Sequence, residues 1–204
     1  MNADEFLAVL RSRRSVRRFR AGSVSRDVLE QLIAHAAWAP SAGNRQDWFF
    51  VVVTREETKR ALGEAVRQRW AEIVAANRGF SGIGEVERYA ARFSDCAAAP
   101  ALIAVACRET DELQQRLLGP DADAVTGSIA SAAMAAQNLM LAAHALGLGS
   151  CCYTGALAAR AALTTLLDLP RRCALVCLIG VGFPDEQPHA PARKPVARIA
   201  KFVE

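Results

Sequence analysis

Arg13, Ser15 and Arg17 stand two residues apart in the run RSRRSVRRFR. In an extended chain alternate side chains share a face. Two guanidinium groups and a hydroxyl would then line one edge over roughly 13 Å, at about 3.3 Å per residue. Arginine grips phosphate through paired, charge-assisted hydrogen bonds, and a phosphate monoester carries about −1.5 to −2 charges at neutral pH. The line therefore suits an elongated anion with polar groups along its length. Flavin mononucleotide (FMN) has that plan: phosphate, polyhydroxyl chain, then a flat ring with acceptors at one edge. Duplex DNA would meet the same row of charges.

Other chemistry-bearing patterns are sparse. The six cysteines (96, 107, 151, 152, 173, 177) include a vicinal pair but no C-x-x-C, and the three histidines (35, 144, 189) form no H-E-x-x-H. No metal site is expected from such spacings. Cys107, Cys173 and Cys177 sit in apolar runs, where a thiol behaves as a small hydrophobe. GLGSCC (147–152) and GVGFP (180–184) each lack the third glycine of a dinucleotide fingerprint, and the Walker and G-x-S-x-G patterns are missing. No side chain is assigned as a catalyst, which points to chemistry borrowed from a cofactor.

The elements that must position these residues follow from periodicity. A short helix is expected over 3–12, with Phe6, Leu7, Val9 and Leu10 as its apolar members, and then the extended arginine run. Ser25 is a helix N-cap, Val28, Leu29, Leu32, Ile33 and Ala36 recur at helical spacing, and Pro40 ends that helix. PSAGNRQDW (40–48) reads as a loop and Phe49–Val53 as a buried strand. A helix over 55–77 carries Leu62, Val66, Trp70 and Ile73 on one face. A loop over 79–84, a helix near 85–97 and a strand over Leu102–Cys107 follow. Asp123 opens a long Ala-rich helix to about Leu146, with Val125, Ile129, Ala132, Ala136, Leu139 and Ala143 on its main face, stopped by Gly147 and Gly149. Ser150–Tyr153 is a short strand, 156–168 a helix and Ala174–Val181 a long strand. Four of the eight prolines fall in the last 21 residues, so 184–204 reads as an extended arm.

Strands separated by helices give an α/β or α+β sandwich. The 204 residues, 52% hydrophobic and 23% charged, suit a single globular domain over 1–204. The chain carries a net charge of +4, and residues 1–20 alone, with six Arg and two acids, account for all of it. The rest is neutral, which argues against a nucleic-acid partner. No apolar stretch is long enough for a membrane span, and the acidic start lacks a signal-peptide pattern, so a cytoplasmic protein is expected. The small residues of the long helix and the proline-rich arm suggest a second subunit.

R-R-S-V-R-x-F (13–19) followed by A-P-S-A-G-N-x-Q-x-W (39–48) adds a specific signature. With the Ala-rich helix, G-L-G-S-C, G-x-G-F-P and R-K-P in that order, the sequence resembles the nitroreductase family of FMN enzymes over nearly its whole length. The resemblance implies an α+β, three-layer α/β/α sandwich with a mostly antiparallel sheet and a long central helix. It also implies a homodimer with FMN at the interface, NADH or NADPH as electron donor, and a small acceptor such as a nitroaromatic or quinone. By the same resemblance, Arg13, Arg14, Ser15 and Arg17 fall in the first flavin motif, serving the phosphate, ribityl chain and ring edge. Pro40, Ser41, Ala42 and Asn44 fall in the second, supplied by the partner subunit. Cys152, Tyr153, Thr154 and Gly155 match the loop whose backbone N–H meets flavin N5, with Gly155 allowing close approach to the ring. Arg193 and Lys194 match a phosphate-neutralising tail. Asp47 stands where many relatives have Pro, and Trp70, Phe80, Tyr89 and Phe93 are candidates for a lid or for core.

Overall fold

The computed structural model describes residues 2–109, 116 and 124–203, with the backbone alone for Ala91 and residues 124–126. Helix α1 (Ala3–Ser12) opens on a capping box: Asn2 Oδ1 accepts from the Glu5 amide and Glu5 Oε2 from the Asn2 amide, each at 2.9 Å. Helix α2 (Arg26–Ala36) is capped by Ser25 as its sequence predicts, and buries Leu29, Leu32 and Ala36. Strand β1 (Trp48–Val53) leads to α3 (Glu56–Ala76), α4 (Ile83–Ser94), β2 (Ala101–Arg108) and the long α5 (Ala124–Ala145). Then come β3 (Gly149–Tyr153), α6 (Arg160–Leu166) and β4 (Cys173–Gly182).

The four strands form one antiparallel sheet in the order β1-β2-β4-β3. Both faces are covered, and β2 shows why its run is apolar throughout. Ala101, Ile103, Val105 and Cys107 face a core shared with α2 and α5, whereas Leu102, Ala104 and Ala106 face a second core shared with α3 and α6. A register shift at Val105/Ala106 leaves Val176 of β4 unpaired, so Val176 and its neighbour Cys177 both turn toward the α5 side. The result is the α/β/α sandwich with an antiparallel sheet and a central long helix that the sequence implies.

Several boundaries differ from the sequence reading. Helix α4 begins two residues before 85, inside the expected loop, and its last turn tightens into a 3-10 turn at Asp95–Ala98. The expected helix over 156–168 is a 3-10 turn (Gly155–Ala159) followed by the seven-residue α6. Gly147, at φ +77°, does end α5, but Gly149 belongs to β3. Ile129 is exposed, because the buried stripe of α5 runs through Ser128, Ala132, Ala135, Leu139 and Ala143 instead. Asp123, expected to open that helix, lies outside the described residues, as does the side chain of Val125. The apolar face of α1 also stays open, with Phe6, Leu7 and Leu10 exposed and no residue of the helix buried. No helix among the described residues is long and apolar enough to cross a membrane.

Leu139 is fully buried between α5 and the sheet. Leu139→Ala is expected to cost roughly 2–5 kcal/mol, read as a lower urea midpoint at unchanged slope.

Candidate functional site

The arginine run is built as an extra edge on the sheet. Arg13 closes α1, its amide donating to the Val9 carbonyl at 3.2 Å, and the chain then turns extended (φ −56°, ψ 131°). Ser15 pairs in parallel with Ser150 of β3, and the Val16 amide donates to the Ser150 carbonyl at 3.0 Å. Val16 is buried against Gly149, where a Cβ would lie 2.8 Å from the valine side chain. The missing side chain of Gly149 therefore serves this close approach, not the end of α5. Burying Val16 leaves Arg13, Ser15 and Arg17, at alternate positions, to the opposite side.

A second seam fixes the far end of the run. The Arg20 amide donates to the Phe183 carbonyl at 2.8 Å and the Asp185 amide to the Arg18 carbonyl at 3.0 Å. Glu186 completes it: Oε1 accepts from the amides of Arg17 (2.6 Å) and Arg18 (3.0 Å), and Oε2 lies 3.4 Å from Arg18 Nε. Burial alone would raise the Glu186 carboxyl, but those two amides and the neighbouring guanidinium charges hold it below its ordinary 4.5. Glu186 was invisible as a site residue in the sequence, since a lone acid in a proline-rich tail carries no pattern.

The charges on this edge are only partly compensated, Glu186 pairing with Arg18. Among the described residues no carboxylate pairs with the guanidinium of Arg13 or Arg17; Arg17 Nη1 reaches only the Ser15 carbonyl, at 3.5 Å. His144 of α5 lies 2.7 Å from Ser12 Oγ, and burial, then the charges of Arg13 and Arg14, hold its imidazole below the ordinary value. The Cys152 thiol is drawn down by its hydrogen bond with Cys177 and by Arg13, against the effect of burial. An edge with one carboxylate against five arginines keeps the excess positive charge that an anionic ligand needs. Arg14 is differently placed: its Nη1 turns back to the carbonyls of Arg11 (2.6 Å) and Arg13 (2.8 Å).

The 40–48 loop is held from α5. Gly43, Asn44 and Gln46 all adopt positive φ, at 61°, 52° and 52°, a conformation that glycine and asparagine tolerate best. The bends are fixed by hydrogen bonds: the Asn44 amide to the Ser41 carbonyl (2.9 Å), the Gln46 amide to Ser41 Oγ (3.0 Å) and the Ala42 amide to Ser131 Oγ (3.4 Å). Arg45 Nη2 pairs with Asp47 Oδ2 at 2.7 Å and donates to Ser128 Oγ at 3.3 Å, and Ser128 donates on to Asp47. Asp47 thus fastens the loop to the helix. The small serines of α5 do more than permit close packing: Ser128 and Ser131, both buried, are its polar anchors. Asn44 is exposed, its Oδ1 accepting from Gln46 Nε2 at 3.3 Å.

The turn after β3 has a different construction. The Tyr153 side chain is buried in the core, so only its backbone can face a ligand. Within the chain itself Gly155 is required by packing: a Cβ there would overlap the ring of Phe93. Trp70 Nε1 donates to the Gly155 carbonyl at 3.0 Å, and the Trp70 and Phe93 rings stack at 5.3 Å. Trp70 and Phe93 are therefore half-buried supports, whereas Tyr89, edge-on to Phe93 at 4.9 Å, and Phe80 are exposed.

Within one chain the two flavin-like motifs lie apart. Arg13–Arg17 flank β3 at one edge of the sheet, and the 40–47 loop precedes β1 at the other, four strand spacings or roughly 19 Å away. Arg193 and Lys194 sit on the exposed tail, Arg193 Nη1 donating to the Pro191 carbonyl at 3.1 Å.

A cationic edge strand, an α5-anchored loop and a supported turn sit on this α+β sandwich, and comparison with known proteins gives its family. Residues 10–183 match the Nitroreductase family model. The chain is 31% identical to the 5,6-dimethylbenzimidazole synthase of Rhodospirillum rubrum, over 92% of this chain and 86% of that protein. It is 30% identical to an NADH dehydrogenase of Thermus thermophilus, over 92% and 90%. A crystal structure of a nitroreductase with bound FMN from Desulfitobacterium hafniense covers 100% of both chains, with a TM-score of 0.73 and 23% identity. The chain belongs to the nitroreductase family.

Because the Glu186 carboxyl is held below 4.5 in the folded protein, its contribution to stability is present above that value and lost as pH falls through the folded value. Glu186→Gln is expected to be less stable than the parent at neutral pH, with the gap in thermal midpoint closing as pH is lowered to about 3.

Proposed function

We propose that the chain is an FMN-dependent oxidoreductase, residues 1–204 forming one flavin-binding domain that works as a cytoplasmic homodimer. Electrons pass from NADH or NADPH through the flavin to a small acceptor such as a nitroaromatic or quinone. The observation that carries this reading is the unpaired Arg13 and Arg17 pair, aligned with Ser15 on an edge pinned to β3. When bound, FMN would supply the hydride chemistry itself. Arg13, with Arg193 and Lys194, suits the phosphate; Ser15 offers its hydroxyl to the ribityl chain. Arg17 places positive charge where a reduced ring would gather negative charge. The backbone of Cys152–Gly155 offers N–H donors beside this edge.

The separation of the two motifs on opposite sheet edges supports a second copy as the source of Pro40, Ser41, Ala42 and Asn44. So do the apolar groups left open on α1, on α5 (Ile129, Met134) and on the tail (Val196, Ile199, Phe202). All six thiols are free, the state that a reducing compartment maintains. The neutral surface outside the first 20 residues supports a small-molecule acceptor and no nucleic-acid partner.

A second reading within the family is a flavin-consuming synthase, favoured by the 31% identity to the 5,6-dimethylbenzimidazole synthase. Incubation with NADH and FMN in air separates the two: flavin recovered intact by chromatography supports the electron-transfer reading, and a cleaved ring supports the second.

Arg13→Ala removes one charge-assisted contact, worth about 1.5–3 kcal/mol. FMN affinity, read by quenching of flavin fluorescence, is expected to fall about tenfold to a hundredfold with the unfolding midpoint nearly unchanged. Equal affinity in the variant contradicts the assignment.

A further inference from the structure

Two of the six free thiols meet across β3 and β4 on the α5 side of the sheet. Cys152 pairs in register with Ile179, and Cys177 lies two residues away along β4, so the two cysteines are diagonal neighbours on one face. Their side chains are in hydrogen-bond contact. Cys152 is half-buried and stands one residue from the end of β3, whereas Cys177 is buried in the core. The pair is chemically unequal as well. The Cys177 hydrogen bond, and after it the charge of Arg13, draw the Cys152 thiol below its ordinary value against the effect of burial. Cys177 is pushed up by that same bond and by burial. One sulfur is thus reachable and inclined to lose its proton, and the other keeps its proton and sits behind it. The other four cysteines lack this combination. Cys96, Cys107 and Cys151 are buried with their thiols pushed up by burial, and burial also raises half-buried Cys173. Only the backbone of Cys152 enters the flavin reading above.

We propose that Cys152 is a peroxide-oxidation site and Cys177 its resolving partner, the two closing a reversible disulfide beside the Arg13 edge. The Cys152 thiolate attacks one oxygen of hydrogen peroxide; the O–O bond breaks, hydroxide leaves and Cys152 becomes a sulfenic acid. The Cys177 sulfur then attacks the Cys152 sulfur, the S–S bond forms, and the Cys177 proton leaves with the sulfenic hydroxyl as water. Two thiols lose two electrons and two protons, and the peroxide becomes two waters. A disulfide needs Cβ atoms about 3.5–4.5 Å apart, closer than diagonal neighbours stand in a regular ladder, so closure draws the end of β3 toward β4. The arginine run bonds β3 at Ser150, two residues before Cys152, and does not hold that end. Capture by Cys177 protects the sulfenic acid from further, irreversible oxidation, and thiol exchange restores the pair. None of these steps depends on the FMN reading.

The intact chain, fully reduced and kept without NADH or NADPH so that flavin chemistry takes no part, is treated with hydrogen peroxide and read by intact mass. The expected product has lost two hydrogens, forms at least about tenfold faster than any other thiol is consumed, and returns to the starting mass with dithiothreitol. Cys151→Ser and Cys173→Ser are expected to retain it, and Cys152→Ser to abolish it. Cys177→Ser is expected to leave a sulfenic acid at Cys152 that adds dimedone, at least about tenfold more than the parent adds. A bridge that persists in Cys152→Ser, or a parent in which Cys152 gains oxygen without joining Cys177, overturns the proposal. So does a parent left unchanged while glutathione in the same tube is oxidised, a result that needs no variant to fold.

Discussion

Five arginines crowd into the eight residues from Arg13 to Arg20, and the structure depends on holding that crowd in line. Neighbours on one face of an extended chain are about 6.6 Å apart, where two unit charges repel by roughly 0.6 kcal/mol in water and several times more near a low-dielectric surface. Backbone bonding to Ser150 on one side and to Phe183 and Asp185 on the other offsets this repulsion. The carboxylate of Glu186 adds the charge complement for the Arg17–Arg18 end. Among the described residues no carboxylate pairs with the guanidinium of Arg13 or Arg17. The edge is thus held in place by the fold yet left electrostatically incomplete, the condition under which an anionic ligand gains most from binding.

Much of the architecture was legible in the sequence because its cues are local and strong. The Ser25 cap, the strands β1, β2 and β4 and the Ala-rich α5 each reflect local cues and form where expected, but β1, expected to be buried, stands at the end of the strand order with Phe49 and Val52 exposed and only Val53 buried. The failures share a cause. Ile129 and the apolar face of α1 follow helical spacing yet remain exposed, since periodicity says which residues share a face but not what covers it. The 3-10 turns that follow α4 at Asp95–Ala98 and precede α6 at Gly155–Ala159 shift boundaries that propensity cannot locate.

The candidate site was legible in its charged and loop residues and not in what holds them. R-R-S-V-R-x-F and P-S-A-G-N carry patterns that stand out in one dimension. Ser128, Ser131, Asp47, Glu186 and Trp70 matter through contacts made across 81 to 169 residues of sequence, and no spacing rule reaches that far. Gly149 and Gly155 are instructive in the same way: both are glycine because a distant side chain, Val16 or Phe93, occupies the place of a Cβ. A serine buried in an Ala-rich helix and a glycine inside a strand were the available signals, and each had an ordinary packing explanation.

The central claim is that the pinned arginine edge completes a flavin site together with a second copy of the chain. It is tested most directly by incubating the intact protein with FMN, removing free flavin by gel filtration and measuring visible absorbance and molar mass on the same peak. The account requires a yellow dimer carrying one flavin per chain. A colourless protein after this treatment, or a monomer that retains its flavin fully, contradicts it.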